Sequence, residues 1–209
     1  MVNLVPGAFV PAEPALEAID AAWSRLREQN SRFFDGRVLH VLGVSRNGHG
    51  GVVVHVMEAA YRFYAVIACG LDTGVRPLGV KGLAEVDGDD GRRRWLMGRR
   101  SDRVAYYPDR WEFVPGGCLE PGVDPAEMLL RELGEESGFE AASPPVPVAL
   151  LYDPSAFSWE LVHRVAIRPR AGIDPPGWEY RELRWVAVGE EPQPLSPIAR
   201  RMQPLRSEP

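Results

Sequence analysis

Across residues 12–29 the apolar positions Leu16, Ile19, Ala22, Trp23 and Leu26 recur every three or four residues, the period of an amphipathic helix. The runs that follow have a different character. Residues 38–44 and 51–57 are short and rich in β-branched side chains, and the polar, glycine-bearing stretch 46–50 joins them, which predicts a β-hairpin after a turn at 33–36. Ahead of the helix, the first ten residues contain proline and glycine and are expected to be extended. A helical stretch at 65–69 leads to the run 76–83, and residues 94–100 are expected to pair with 110–115. Residues 146–152, 159–168 and 180–188 read as three further strands, and 197–205 as a short closing helix. There is no internal repeat and no low-complexity linker. The boundary near 60–80 is weak, which leaves open that the N-terminal third is built into the same sheet as the rest.

The segment 117–139 is the most informative part of the chain. A strand at 111–115 runs into the Gly116-Gly117 turn, and a helix follows. Asp124 is a good N-cap, Glu127 completes a capping-box pattern, Pro125 falls at the first helical position, and Gly138 marks the stop. Leu129, Leu130 and Leu133 form its apolar side. Glu132, Glu135 and Glu136 stand at i, i+3 and i+4, so one helix face carries all three. Like charges so placed repel, and hard divalent cations bound by carboxylate oxygens would neutralise them. The pattern points to a metal site.

The same segment resembles the Nudix box, G-x5-E-x7-R-E-U-x-E-E-x-G-U, where U is a bulky apolar residue. Gly117, Arg131, Glu132, Leu133, Glu135, Glu136, Gly138 and Phe139 fall on its fixed positions, and Val123 stands where the family has its first glutamate. The resemblance implies an α/β Nudix fold, a mixed β-sheet sandwiched between α-helices. It implies that Glu135 and Glu136 are principal ligands of Mg²⁺ or Mn²⁺, with the backbone carbonyl of Gly116 contributing. Glu132 would bind metal or help activate the attacking water, and Arg131 would hold the glutamates by a charge-assisted hydrogen bond. The implied chemistry is hydrolysis of a diphosphate linkage. Glu160 is the expected extra glutamate from outside the box, with Glu182 in reserve.

Residues 1–80 exceed what a minimal domain of this kind needs, and 81–209 then form the hydrolase domain. Trp23, Phe34-Asp35, Tyr61-Arg62-Phe63, Pro77 to Val80 and Arg99-Arg100-Ser101 resemble, in order and spacing, the Nudix proteins that split UDP-glucose and UDP-galactose to UMP and the sugar 1-phosphate. The N-terminal part is thus expected to be a helix and β-hairpin extension that shapes substrate choice. Arg62, Lys81, Arg99 and Arg100 are candidate contacts to phosphate or sugar oxygens. Arg99 and Arg100 are adjacent on a strand, so only one can face the site. Tyr64, Tyr106, Trp159 and Trp178 are candidates to stack on uracil, with core packing the commoner use of each. ADP-ribose or ADP-sugars, dinucleoside polyphosphates, NADH and coenzyme A remain alternative substrates. A non-catalytic nucleotide-sugar sensor, motivated by Val123, is the alternative of another class.

Composition adds limits. The 209 residues carry a formal charge of −5, which argues against a nucleic-acid surface. Arg92-Arg93-Arg94 reads as a solvated hairpin edge. Cys69 and Cys118 form no disulfide framework, and His40, His49, His55 and His163 show no ligand spacing. With no secretory signal and no apolar run of membrane-spanning length, a cytoplasmic protein is expected, with a small-molecule nucleotide-diphosphate substrate and no membrane partner. A homodimer stays open beside a monomer.

Overall fold

The computed structural model of the chain describes residues 1–168 and 177–207. The chain divides into two compact units. The first comprises Met1–Leu78 with Cys118–Gly122 and Phe157–Trp159, and the second holds the remaining described residues.

In the first unit, α1 (Leu16–Gln29) buries Ile19, Ala22 and Trp23, the i, i+3, i+4 stripe of the pattern. Trp23 meets Phe33 edge-on at 5.9 Å and Tyr61 at 6.3 Å between ring centroids. β2 (Arg37–Arg46) and β3 (Val52–Ala60) form the expected antiparallel hairpin. Its turn is pinned by Asn47, whose Oδ1 accepts the N–H groups of His49 at 2.9 Å and Gly51 at 3.0 Å. α2 (Tyr61–Ala65) and a 3-10 turn (Val66–Cys69) follow.

The first residues are more than an extended lead. β1 (Val2–Phe9) pairs parallel with β3, Val2 opposite Val54 and Leu4 opposite Val56, and the register shifts before Ala8 meets Glu58. The N-terminal third therefore has its own three-stranded sheet, in the order β1-β3-β2, and is not built into the larger one.

The second unit is built on a seven-stranded sheet. Its strands are β4 (Leu78–Asp87), β5 (Arg93–Arg100), β6 (Trp111–Phe113), β7 (Gly116–Cys118), β8 (Val146–Asp153), β9 (Ser158–Ala166) and β10 (Tyr180–Val186). The order is β10-β5-β4-β9-β8, with β6 on β5 and β7 on β4. The arginine run starts β5, where Arg92 pairs with Glu190, Arg93 with Asp87 and Arg94 with Asp90, the hairpin edge expected from the sequence. α4 (Pro197–Met202) lays Ile198, Ala199 and Met202 on a core of Leu83, Trp95, Met97, Trp111, Phe113 and Val162. α3 (Pro125–Ser137) buries Met128, Leu129 and Leu133 and leaves Leu130 exposed. Mixed sheets flanked by helices make this an α/β fold. Among the described residues no helix is long and apolar enough to cross a membrane.

Candidate active site

The acidic helix starts and stops where its residue types require. The Asp124 side chain accepts the N–H groups of Ala126 at 2.8 Å and Glu127 at 3.4 Å, Pro125 opens the helix, and Gly138 closes it at φ 67°. These ends set the rotation of α3, and with it the direction of the three glutamates.

Glu136 is turned into the protein, 6% exposed, and its Oε2 accepts the Gly116 N–H at 3.0 Å. Its Oε1 is buried with no hydrogen-bond partner. A buried carboxylate oxygen without a donor is costly, and a cation is one of the few groups that relieves it. Burial and the charge of Glu179 push the Glu136 carboxyl well above its ordinary range. Glu132 lies half-buried against the glycine loop, where a Cβ on Gly117 would collide with its carboxylate. Burial, then Glu179 and Glu135, raise it to about 7 against the opposing charges of Arg131 and Lys81. Glu135 is exposed. Arg131, also exposed, places Nη2 2.9 Å from the Met128 sulfur.

The glycines are required by this crowding. A Cβ on Gly79 would lie 2.5 Å from Glu160 Oε2 and 3.1 Å from the carbonyl oxygen of Gly117, so Glu160, 9% exposed, reaches the same loop. A Cβ on Gly116 would lie 2.6 Å from Lys81 Nζ. The reserve candidate Glu182 instead pairs with Arg184 at 2.6 Å at the surface.

The proposed substrate-contacting cations are engaged with protein carboxylates. Lys81 Nζ is 3.2 Å from Glu112, and Arg100 Nη1 is 2.9 Å from Glu112 and 3.5 Å from Glu179. Arg99 lies nearer the surface, 3.7 Å from Asp109. Arg62 belongs to the first unit, where its guanidinium meets Asp35 at 3.0 Å and Asp20 at 3.4 Å. Of the aromatic candidates, Tyr64 is buried edge-on to Tyr61 in that unit, while Tyr106, Trp159 and Trp178 are half-buried. His40 and His55 are hydrogen-bonded away from the acidic helix, to Arg76 and to Asn3 and Ser45.

Three residues of this centre escaped the sequence reading: Glu112, Glu179 and Tyr180. Glu112 sits between Trp111 and Phe113 in β6, and all three are buried. A carboxylate in a wholly buried strand is the signal that could have found it. Burial would raise its pKa, but Arg100 and Lys81 hold it down at about 2. Tyr180 donates to it at 2.8 Å. Glu179 carried no sequence signal, yet it is the leading charge acting on both Glu132 and Glu136.

The donor set fits a hard divalent cation: carboxylate oxygens, one of them buried and unpartnered, beside the half-buried Gly116-Gly117 backbone of β7. Among the described residues no three His, Cys, Asp or Glu side chains yet converge tightly enough to hold an ion as they stand.

The NUDIX domain model matches residues 82–205. No curated protein matches the chain. The Nudix domain of Shewanella oneidensis NrtR, complexed with ADP ribose, is similar at TM-score 0.51 and 15% identity over 63% of this chain and 86% of that one. A MutT Nudix hydrolase of Burkholderia pseudomallei is 21% identical over 61% of this chain and 95% of its own, at TM-score 0.47. A MutT protein of Methanosarcina mazei Go1 is also 21% identical, over 62% and 90%, at 0.48. The NrtR likeness supports the fold, and the domain match spans more than half of the sequence. The chain belongs to the Nudix family, as a hydrolase of nucleoside diphosphate derivatives.

Proposed function

We propose that this hydrolase is Mg²⁺- or Mn²⁺-dependent and splits UDP-sugars, UDP-glucose and UDP-galactose first, into UMP and the sugar 1-phosphate. The observation that carries the metal reading is the buried, unpartnered Oε1 of Glu136 beside Glu132 and the Gly116-Gly117 turn. In this reading Glu135 and Glu136, with Glu132 and the Gly116 carbonyl, hold the cation. Glu160 and Glu179 are the candidates for a carboxylate from outside the helix. A bound divalent cation supplies neutralisation of the diphosphate oxygens and a more acidic water. Glu132, raised to about 7 without metal, suits either a ligand or a proton acceptor for that water. Arg131 steadies Glu132 through its charge.

The sugar-nucleotide preference rests on the resemblance to that subgroup, whose residues Trp23, Phe34-Asp35 and Tyr61-Arg62-Phe63 lie in the first unit ahead of the matched 82–205, and whose Arg99-Arg100-Ser101 lies within it. ADP-ribose, the ligand of the NrtR domain, is the second reading. The test is incubation with UDP-glucose and Mg²⁺, with Glu136→Gln as control and products resolved by mass. UMP and glucose 1-phosphate, absent with the variant, support the whole proposal. Cleavage of ADP-ribose alone keeps the carboxylate site and sinks the UDP-sugar assignment. Nucleotide binding without turnover of any diphosphate makes the sensor, with Val123 as its cause, the better account.

A further inference from the structure

We propose that Glu112 is a positioning residue for the carboxylate site: it anchors Lys81 so that this half-buried cation does not neutralise the Glu136 carboxylate meant for a divalent ion. The inference rests on the metal reading above and adds a residue outside the acidic helix.

The geometry is that of a hub. Glu112 is 2% exposed and receives three donors: Lys81 Nζ on Oε2 at 3.2 Å, Arg100 Nη1 on Oε1 at 2.9 Å and Tyr180 OH on Oε1 at 2.8 Å. Strand alternation sends Trp111 and Phe113 into the core under α4, which leaves Glu112 on the opposite face of β6. Its register partner on β5 is Gly98, and a side chain there would overlap the Tyr180 ring. The glycine thus makes room for the tyrosine that reaches Glu112.

Both cations border the metal-site carboxylates. Lys81 lies directly behind Gly116, whose N–H binds Glu136, and its charge is felt by Glu160, Glu136 and Glu132. Arg100 extends from Glu112 towards Glu179 at 3.5 Å. Without a carboxylate at 112, Lys81 loses its anchor and has Glu136 to turn to, while Arg100 keeps Glu179. An internal Lys81–Glu136 pair would then compete with the ion for the unpartnered Glu136 oxygen. Holding Lys81 on a separate, fully buried anion keeps that oxygen available, and breaking one partner of such a network redistributes the rest.

The experiment is Mn²⁺ binding to the full chain, followed by electron paramagnetic resonance, without substrate. Glu112→Gln keeps the side-chain shape, and its Kd for Mn²⁺ is expected to rise about tenfold or more, the scale of lost outer-shell partners. Adding Lys81→Met removes the freed cation and is expected to restore much of the affinity. A purely structural Glu112 would instead make the double variant bind no better than the single one. Should Glu112→Gln fail to fold, Tyr180→Phe removes one donor alone and is expected to weaken Mn²⁺ about threefold. Wild-type affinity in Glu112→Gln, or in Tyr180→Phe when that is the variant that folds, overturns the proposal while leaving the metal reading intact. No Mn²⁺ binding by the wild type overturns both.

Discussion

Glu132→Gln will remove a pH-dependent weakness from the metal-free protein. In the folded chain, burial, then Glu179 and Glu135, lift the Glu132 carboxyl from an ordinary 4.5 to about 7. A raised acid binds its proton more tightly folded than unfolded, so its ionisation favours the unfolded chain. The stability that belongs to the protonated form is complete below about pH 4.5 and is lost as pH climbs to about 7. At 1.36 kcal/mol per pKa unit the loss is about 3 kcal/mol, a large part of the ~5–15 kcal/mol that holds a domain together. Glutamine cannot ionise, and it fills the same place against Gly117. Urea unfolding in EDTA at pH 5 and pH 7.5, read for both proteins, isolates the term as a difference of differences. Part of the term is already lost at pH 5, so the wild type will lose about 2 kcal/mol more than the variant across that interval. Excess Mg²⁺ will erase most of the gap, because a bound cation takes over the role of the proton. Equal pH slopes for the two proteins in EDTA would refute the burial-and-repulsion account of this carboxylate.

Three further outcomes follow from the same geometry. Gly117→Ala will cut metal-dependent turnover sharply in steady-state assays while the far-ultraviolet spectrum stays native, since the added methyl displaces the Glu132 carboxylate. Phe113→Ala, at a side chain with no exposure in the α4-side core, will cost about 3–5 kcal/mol in denaturant unfolding; a loss below ~1 kcal/mol would contradict that packing. Val123→Glu, at a half-buried position just before the α3 cap, restores the family's residue and will raise kcat several-fold for whichever diphosphate the wild type cleaves; an unchanged kcat would show that Val123 does not limit this enzyme.

Local chemistry makes much of this protein legible in its sequence. The acidic helix from Pro125 to Ser137 forms as its cap, first-turn proline and terminal glycine demand, because those signals act over four residues or fewer. The hairpin of Arg37–Arg46 and Val52–Ala60 follows from β-branched runs and an Asn-Gly turn. Spacing alone puts Glu132, Glu135 and Glu136 on one helix face. Spacing cannot say that Glu136 is buried and Glu135 exposed, because that depends on which side of α3 meets the protein. β1 is underread for a similar reason: its partner, β3, lies some fifty residues on and runs parallel, so no turn announces the pairing. The cations expected to await substrate, Lys81 and Arg100, are held by Glu112, a carboxylate between two aromatic neighbours whose burial only the packed sheet reveals. Side-chain type and period are properties of a few neighbouring residues and survive in the sequence. Which carboxylate faces which cation is settled only when strands from distant parts of the chain come together at a glycine loop with no room to spare.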